Sequence, residues 1–185
     1  MLLNKEQQQQ LLAITKESIA YGLKHDQALS VNSHNYATEL QVVRATFVTL
    51  EINGQLRGCI GMLEAVRPLV VDIVENAFAA AFKDPRFPPL SAAEYPQLEI
   101  HLSILGATEP MQFESEADLI AQIRPNIDGL IIQEGRQRGT FLPSVWEALP
   151  EPEAFLRHLK QKAGLPGNYW SDTLMVSRYQ CQVIA

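Results

Sequence analysis

Hydrophobic positions recur at two different spacings along this chain, and each spacing predicts a different element. Apolar residues at helical spacing over residues 4–24 predict a helix, which Asn4 and Gln7 begin with the pattern of a capping box. A second helix is predicted over residues 68–82, and apolar side chains cover so much of its surface that it should be buried. A short helical pattern begins at residues 115–118, and two more cover residues 143–149 and 152–163.

Strand patterns lie between these helices. Residues 45–52 are rich in β-forming side chains, and the Asn53-Gly54 pair after them is a strong hairpin signal, so residues 55–61 should return antiparallel to them. Residues 98–104 alternate strictly between apolar and polar and predict another strand. Further strand patterns cover residues 127–134, 140–142 and 174–184. No repeat and no long linker divides these elements, so residues 1–185 are predicted to form one domain.

Composition restricts the setting of this domain. With 185 residues and 46% hydrophobic content, the chain can bury a core without metal or disulfides. Cys59 and Cys181 are the two cysteines, and neither a secretory signal nor a bilayer-spanning apolar stretch is visible, which predicts a cytoplasmic protein without a membrane segment. A net charge of −6 argues against nonspecific binding to nucleic acid.

The segment Leu56-Arg57-Gly58-Cys59-Ile60-Gly61 marks the candidate site. Two glycines inside a strand, Gly58 and Gly61, indicate that another backbone or a ligand comes close. Strict alternation would place Arg57, Cys59 and Gly61 on one face, with guanidinium and sulfur about 7 Å apart along the strand. Because a neighbouring cation favours a thiolate, Cys59 is a candidate catalytic nucleophile and Arg57 its activator.

A proline-rich loop follows the second predicted helix. Residues 83–90 contain three prolines, which favour a stiff, extended path. Such a loop would hold Asp84 and Arg86 as a preorganised polar pair, and a loop folded back over the strand would bring Asp84 to Arg57. The alternative is that Asp84 and Arg86 only end the helix and decorate a turn. The local sequence leaves both interpretations open.

Other candidate chemistry is weaker. His101 lies in a predicted strand and would be a base if it met Cys59, but its spacing along the sequence does not bring the two together. Two distant cysteines and scattered histidines lack the spacing of metal ligands, so no metal site is predicted. No glycine-rich dinucleotide or phosphate motif occurs, and no cofactor is predicted. Cys181 is interpreted as a small apolar core residue.

Six segments in a fixed order carry a family resemblance. They are residues 47–61, Asn76-Ala77, residues 84–90, residues 128–132, residues 139–143 and residues 162–165. Together they resemble the AMMECR domain family, and His101 is a departure from the family pattern. The resemblance implies an α+β fold in two unequal lobes, with a largely antiparallel sheet flanked by helices and the Cys59 motif at a cleft.

The resemblance also implies partners but no known reaction. Prokaryotic members are similar to component A of the AmmeMemoRadiSam system, which is encoded beside or fused to a Memo-like protein and a radical S-adenosylmethionine protein. These two proteins are therefore the expected partners of this chain.

Two hypotheses about function remain open, and the sequence does not decide whether the protein is an enzyme. In the favoured one, a binding domain receives a small molecule, a peptide or the Memo-like partner in a cleft built by Arg57, Gly58, Cys59, Gly61, Asp84 and Arg86. In the other, Cys59 activated by Arg57 attacks a small anionic or carbonyl-bearing substrate.

Overall fold

The computed structural model describes residues 2–185, which fold into two compact units. The first unit contains residues 2–105 together with Gln182–Ala185, and the second contains Gly106–Cys181. A four-stranded sheet is found in each unit, and the paired strands described below are antiparallel. The predicted α+β fold, with largely antiparallel sheets and flanking helices, is confirmed.

The first sheet has the strand order β2-β1-β3-β8. Its strands are β1 (Thr46–Ile52), β2 (Gln55–Gly61), β3 (Glu99–Leu105) and β8 (Cys181–Ile184). The helices of this unit are α1 (Lys5–His25), α2 (Thr38–Gln41) and α3 (Leu69–Phe82). The predicted capping box begins α1, because the Asn4 and Gln7 side chains each accept the other residue's backbone N–H. β2 is an edge strand of this sheet.

Helix α3 covers one face of the first sheet and separates it from α1. This inner face is apolar, with Val48, Leu50 and Leu102 fully buried. The opposite, outer face carries the alternate side chains, among them Thr49 and His101, which are half-buried. The alternation predicted for these strands therefore separates a core face from a polar face.

A buried polar cluster joins α3 to β1. Asp72 is 1% exposed, and its carboxylate accepts hydrogen bonds from Thr46, Arg67 and Asn76. Asn76 also donates to the backbone carbonyl of Thr46 at 3.2 Å. A buried carboxylate that is fully hydrogen-bonded fixes the register between helix and strand.

The second sheet has the order β4-β7-β5-β6. Its strands are β4 (Glu109–Pro110), β5 (Gly129–Glu134), β6 (Gln137–Phe141) and β7 (Met175–Tyr179), and its helices are α4 (Glu116–Gln122) and α5 (Pro152–Lys162). The core is centred on Trp146, whose ring stacks on Phe155 with centroids 3.7 Å apart. The Trp146 indole N–H donates to the backbone carbonyl of Asp128, which satisfies its one polar atom.

Three predicted boundaries are wrong. Residues 174–184 form two strands, β7 and β8, which belong to different sheets. Gln180 lies between them, and its carbonyl accepts the Gly106 N–H, so the ladder of β7 does not continue into β8. The connection between the strands predicted over residues 127–134 and 140–142 is shorter, because the left-handed conformation of Gly135 (φ 57°) permits a tight turn and β6 begins at Gln137. The helix predicted over residues 143–149 is a 3₁₀ helix, Pro143–Glu147.

Candidate functional site

A β-bulge at Arg57 changes how the motif is presented. In the ladder between β1 and β2, Leu50 lies opposite Gly58 while Glu51 lies opposite Leu56, so Arg57 has no partner on β1. A bulge adds one residue to a strand and interrupts the strict alternation of its faces. Strict alternation therefore does not decide on which face of the sheet the Arg57 side chain lies, and its contacts have to be taken from the structure.

The loop after α3 holds the Arg57 side chain, which is only 10% exposed. Its Nε donates to Glu94 at 2.7 Å, and its Nη2 donates to Glu94 at 3.2 Å and to the carbonyl of Pro88 at 2.9 Å. The guanidinium also lies 5.7 Å from the centre of the Phe87 ring, a cation–π distance. The expected pairing of Arg57 with Asp84 is wrong, because Glu94 is the carboxylate that binds Arg57.

Asp84 instead connects the loop to the edge of β2. Its side chain is 2% exposed, and Oδ2 accepts the backbone N–H of Cys59 at 2.9 Å and Nη2 of Arg86 at 2.7 Å. Oδ1 accepts the Arg86 backbone N–H and Nε, at 3.1 and 3.0 Å. Arg86 Nη2 also donates to the Cys59 carbonyl at 3.3 Å. The Asp84–Arg86 pair thus binds both backbone groups of Cys59 on an edge strand.

These contacts keep both carboxylates ionised. Hydrogen bonds from the Arg86 side chain lower the pKa of Asp84 far below its usual range against the opposing effect of burial, and the Cys59 N–H adds to the decrease. Hydrogen bonds from Arg57, followed by those from Ser91, lower the pKa of Glu94 to about 2. The pKa of Arg86 is raised, first by its hydrogen bonds to Asp84 and in smaller part by the charge of Cys59.

Protein atoms occupy the space beside both motif glycines. A Cβ on Gly58 would lie 2.1 Å from the carbonyl oxygen of Ala80 in α3. A Cβ on Gly61 would lie 2.2 Å from the carbonyl oxygen of Thr46 and 2.4 Å from the ring of Phe47. The close approach that the glycines indicate is therefore made by the backbone of α3 and by β1.

Cys59 lies half-buried on the outer face of the first sheet. Its Cα partner on β1 is Thr49, whose hydroxyl donates to Sγ at 3.2 Å. Thr49 is also the partner of His101 on β3, so the three residues form a row in which Cys59 and His101 are two strand spacings, roughly 10 Å, apart. His101 Nε2 lies 3.6 Å from a carboxylate oxygen of Glu51.

Comparison with known proteins gives the family. The AMMECR1 family model matches residues 12–184. This chain belongs to the AMMECR1 family. A protein of Methanothermobacter thermautotrophicus is 42% identical to it over 146 residues, which are 76% of this chain and 74% of that protein. A Thermotoga maritima protein is 41% identical over 135 residues, 72% of each chain. The family resemblance predicted from the six segments is confirmed.

A solved structure supports the AMMECR1 fold. The crystal structure of an uncharacterised protein from Pyrococcus horikoshii matches with a TM-score of 0.91 and 29% sequence identity, over 98% of this chain and 92% of that one. Family and fold are thereby shown. No helix among residues 2–185 of this AMMECR1 domain is both long and apolar enough to cross a membrane.

Sequence reasoning missed several residues at the AMMECR1 motif. Ser91 and Glu94 have the spacing of a capped turn, and the Ser91 N–H and hydroxyl do bind the Glu94 carboxylate, at 2.9 and 2.8 Å. Nothing in the local sequence shows that the same carboxylate reaches Arg57. Thr49 carried no signal of its contact with Cys59, because only the hairpin register places it there.

Two other features of the domain lie away from the motif. Cavities of about 270 and 670 Å³ occur in the second unit, and neither is lined by a motif residue, so the cleft at the motif stays a prediction. On the outer face of the first sheet, Glu51, Glu99 and His101 bring their ligand atoms within 4.8 Å of one another. We predicted no metal site from the spacing of cysteines and histidines along the sequence. That spacing could not show this cluster, because the cluster depends on the pairing of β1 with β3.

Proposed function

We propose that this AMMECR1-family protein is a ligand- or partner-binding component whose binding surface is formed by β2 and the proline loop. The observation that carries this proposal is that two separate sets of hydrogen bonds fix the motif. Glu94 holds Arg57, and the Asp84–Arg86 pair holds the backbone of Cys59. Side chains that are fixed before binding lose little entropy on binding, which is the property expected of a recognition surface.

The exposed part of this surface combines apolar and cationic groups. Leu56 is 41% exposed, the Arg86 side chain is 54% exposed, and the ring of Phe87 lies within 5.5 Å of the Arg86 guanidinium. A guanidinium beside an aromatic ring suits a carboxylate, phosphate or carbonyl group attached to an apolar body. We therefore infer that the occupant is a small molecule or a peptide segment of a protein partner.

The family association names two candidate partners for this surface. We propose that the Memo-like protein and the radical S-adenosylmethionine protein bind here, in a cytoplasmic pathway. Both cysteines of the chain are free thiols, which agrees with a reducing compartment. The net charge of −6 favours such protein partners over nonspecific contact with nucleic acid.

A binding measurement tests this proposal. We expect Leu56→Ser and Arg86→Gln each to weaken association with the Memo-like or the radical S-adenosylmethionine protein by roughly tenfold, as for residues near the centre of an interface. The matched controls are Val183→Ser, which removes an apolar side chain that is 58% exposed, and Arg136→Gln at a turn tip. Neither should change the dissociation constant measured by calorimetry. Unchanged affinity in both motif variants, or no association of the native chain with either protein, would make the proposal wrong.

A second candidate function has one specific observation in its favour. The Cys59 sulfur accepts a hydrogen bond from the Thr49 hydroxyl, and the Arg86 guanidinium donates to the backbone carbonyl of the same cysteine. Hydrogen bonding and a nearby cation both favour a thiolate. In this alternative, the Cys59 sulfur forms a bond to a substrate carbonyl carbon, and the carbonyl electron pair moves to oxygen beside Arg86. The cation assigned to this role is Arg86 rather than Arg57.

Thiol alkylation separates the two candidates. We expect iodoacetamide, which is uncharged, to modify Cys59 before Cys181, because burial raises the pKa of Cys181 to about 12. Arg86→Gln should slow the modification of Cys59 by about threefold, whereas Arg136→Gln should leave it unchanged. Mass spectrometry of the digested protein gives both rates. If Cys59 resists alkylation in the folded chain, the catalytic candidate is wrong and only the binding function remains.

A further inference from the structure

Three metal-ligating side chains meet on the outer face of the first sheet. Glu51 comes from β1, and Glu99 and His101 come from β3, its antiparallel neighbour. One oxygen of each carboxylate and one imidazole nitrogen all lie within 4.8 Å of one another. The side chains of His101 and Glu51 are 36% and 30% exposed, so an ion can reach them from solvent.

The charge of this cluster favours a cation. Glu51 and Glu99 lie directly opposite each other in the ladder between β1 and β3. Like charges at directly opposite positions repel one another and destabilise a strand pair. A divalent cation held between the two carboxylates would remove that repulsion.

The spacing between His101 and Glu51 also suits a shared ion. His101 Nε2 lies 3.6 Å from Glu51 Oε2, which is longer than a hydrogen bond of about 2.7–3.2 Å. Two ligand atoms bound about 2.0–2.1 Å from a tetrahedral Zn²⁺ lie roughly 3.3–3.4 Å apart. The observed separation is therefore nearer to that of two ligands on one ion. Glu99 is exposed, and a side-chain rotation would bring its oxygen into the same sphere.

We propose that Glu51, Glu99 and His101 bind a divalent transition-metal ion, with water completing the coordination. The donor set of one imidazole and two carboxylates suits Zn²⁺ and its first-row neighbours, whereas Mg²⁺ and Ca²⁺ prefer oxygen ligands alone. Strands β1 and β3 pair over Thr46–Glu51 and Glu99–Ile104, which places the three Cα positions next to one another. This site is separate from the proposed binding surface of β2 and the loop, and does not depend on it.

Calorimetric titration of the full chain with ZnCl₂, after removal of any purification tag, tests the proposal. We expect one Zn²⁺ to bind per chain, and His101→Ala, Glu51→Gln and Glu99→Gln each to weaken binding by at least about tenfold. Titration with CoCl₂ should give the visible absorption of a tetrahedral Co²⁺ site, and His101→Ala should abolish it. MgCl₂ should not compete for the site.

Two control variants make the result decisive. His158→Ala removes an exposed histidine of α5 and should leave Zn²⁺ affinity unchanged. Cys59→Ser should also leave it unchanged, because the thiol is not a ligand in the proposal. No saturable binding of Zn²⁺, binding that survives His101→Ala, or binding lost in Cys59→Ser would each overturn it. Circular dichroism of each variant confirms that the three substitutions on β1 and β3 leave the fold intact.

Discussion

Gly58→Ala is expected to destabilise the protein by about 3 kcal/mol, the upper end of the usual cost of overpacking a core. The added methyl would lie 2.1 Å from the carbonyl oxygen of Ala80 and 3.1 Å from its carbonyl carbon. Ala80 is 1% exposed in α3, and that helix is packed between the sheet and α1. Because both contacting groups are backbone, relief of the contact requires α3 to move away from β2.

A second glycine of the same hairpin provides the control for Gly58→Ala. Gly54 has φ 69° and no atom within 4 Å of its Cβ position, so Gly54→Ala costs only the left-handed backbone conformation, about 1 kcal/mol. Urea unfolding followed by far-ultraviolet circular dichroism gives both free energies. If Gly58→Ala costs no more than Gly54→Ala, the packing of α3 on β2 is not rigid, and the glycine serves another purpose.

The sequence predicts the elements of the first unit well because their signals are local. Apolar periodicity places α1, α3 and β3, and Asn53-Gly54 places the hairpin, where both residues adopt the positive φ angles that the turn needs. The position of the candidate motif on the returning strand follows directly. These signals act within a few residues, and tertiary packing does not overturn them here.

The ion pairs of the site could not be predicted because they depend on tertiary structure. Alternation places Arg57 beside the thiol, but a bulge interrupts the ladder at Arg57, and the guanidinium binds Glu94. The charges of Asp84 and Arg86 do not by themselves select a partner. Only the path of the proline loop brings the pair to the backbone of Cys59. The Glu51–His101 contact likewise requires β1 and β3 to be neighbours, although α3 separates them in sequence.

Asp84→Asn is expected to destabilise the protein by about 2–3 kcal/mol at pH 7, because it leaves Arg86 without its anion. The Asp84 carboxylate is 2% exposed and accepts the Cys59 N–H together with three hydrogen bonds from Arg86. An amide would turn its NH₂ group towards one of these donors. This loss of stability is smaller than the loss expected for a fully buried ion pair, because water can solvate the exposed part of Arg86. Asp172→Asn, at an exposed position, is the matched control and should change stability little.

The pH dependence separates the charge of Asp84 from its shape. Because the pKa of Asp84 is lowered in the folded protein, its contribution to stability is complete above the unfolded value of about 3.9 and is lost as the pH falls towards the folded value. Glu94, whose pKa is lowered to about 2, loses its contribution in the same acidic range, in the native chain and in the variant alike. The difference in unfolding free energy between the native chain and Asp84→Asn should therefore shrink from pH 7 to pH 3. A difference that stays constant over this range would mean that Asp84 acts through the geometry of its hydrogen bonds and not through its charge.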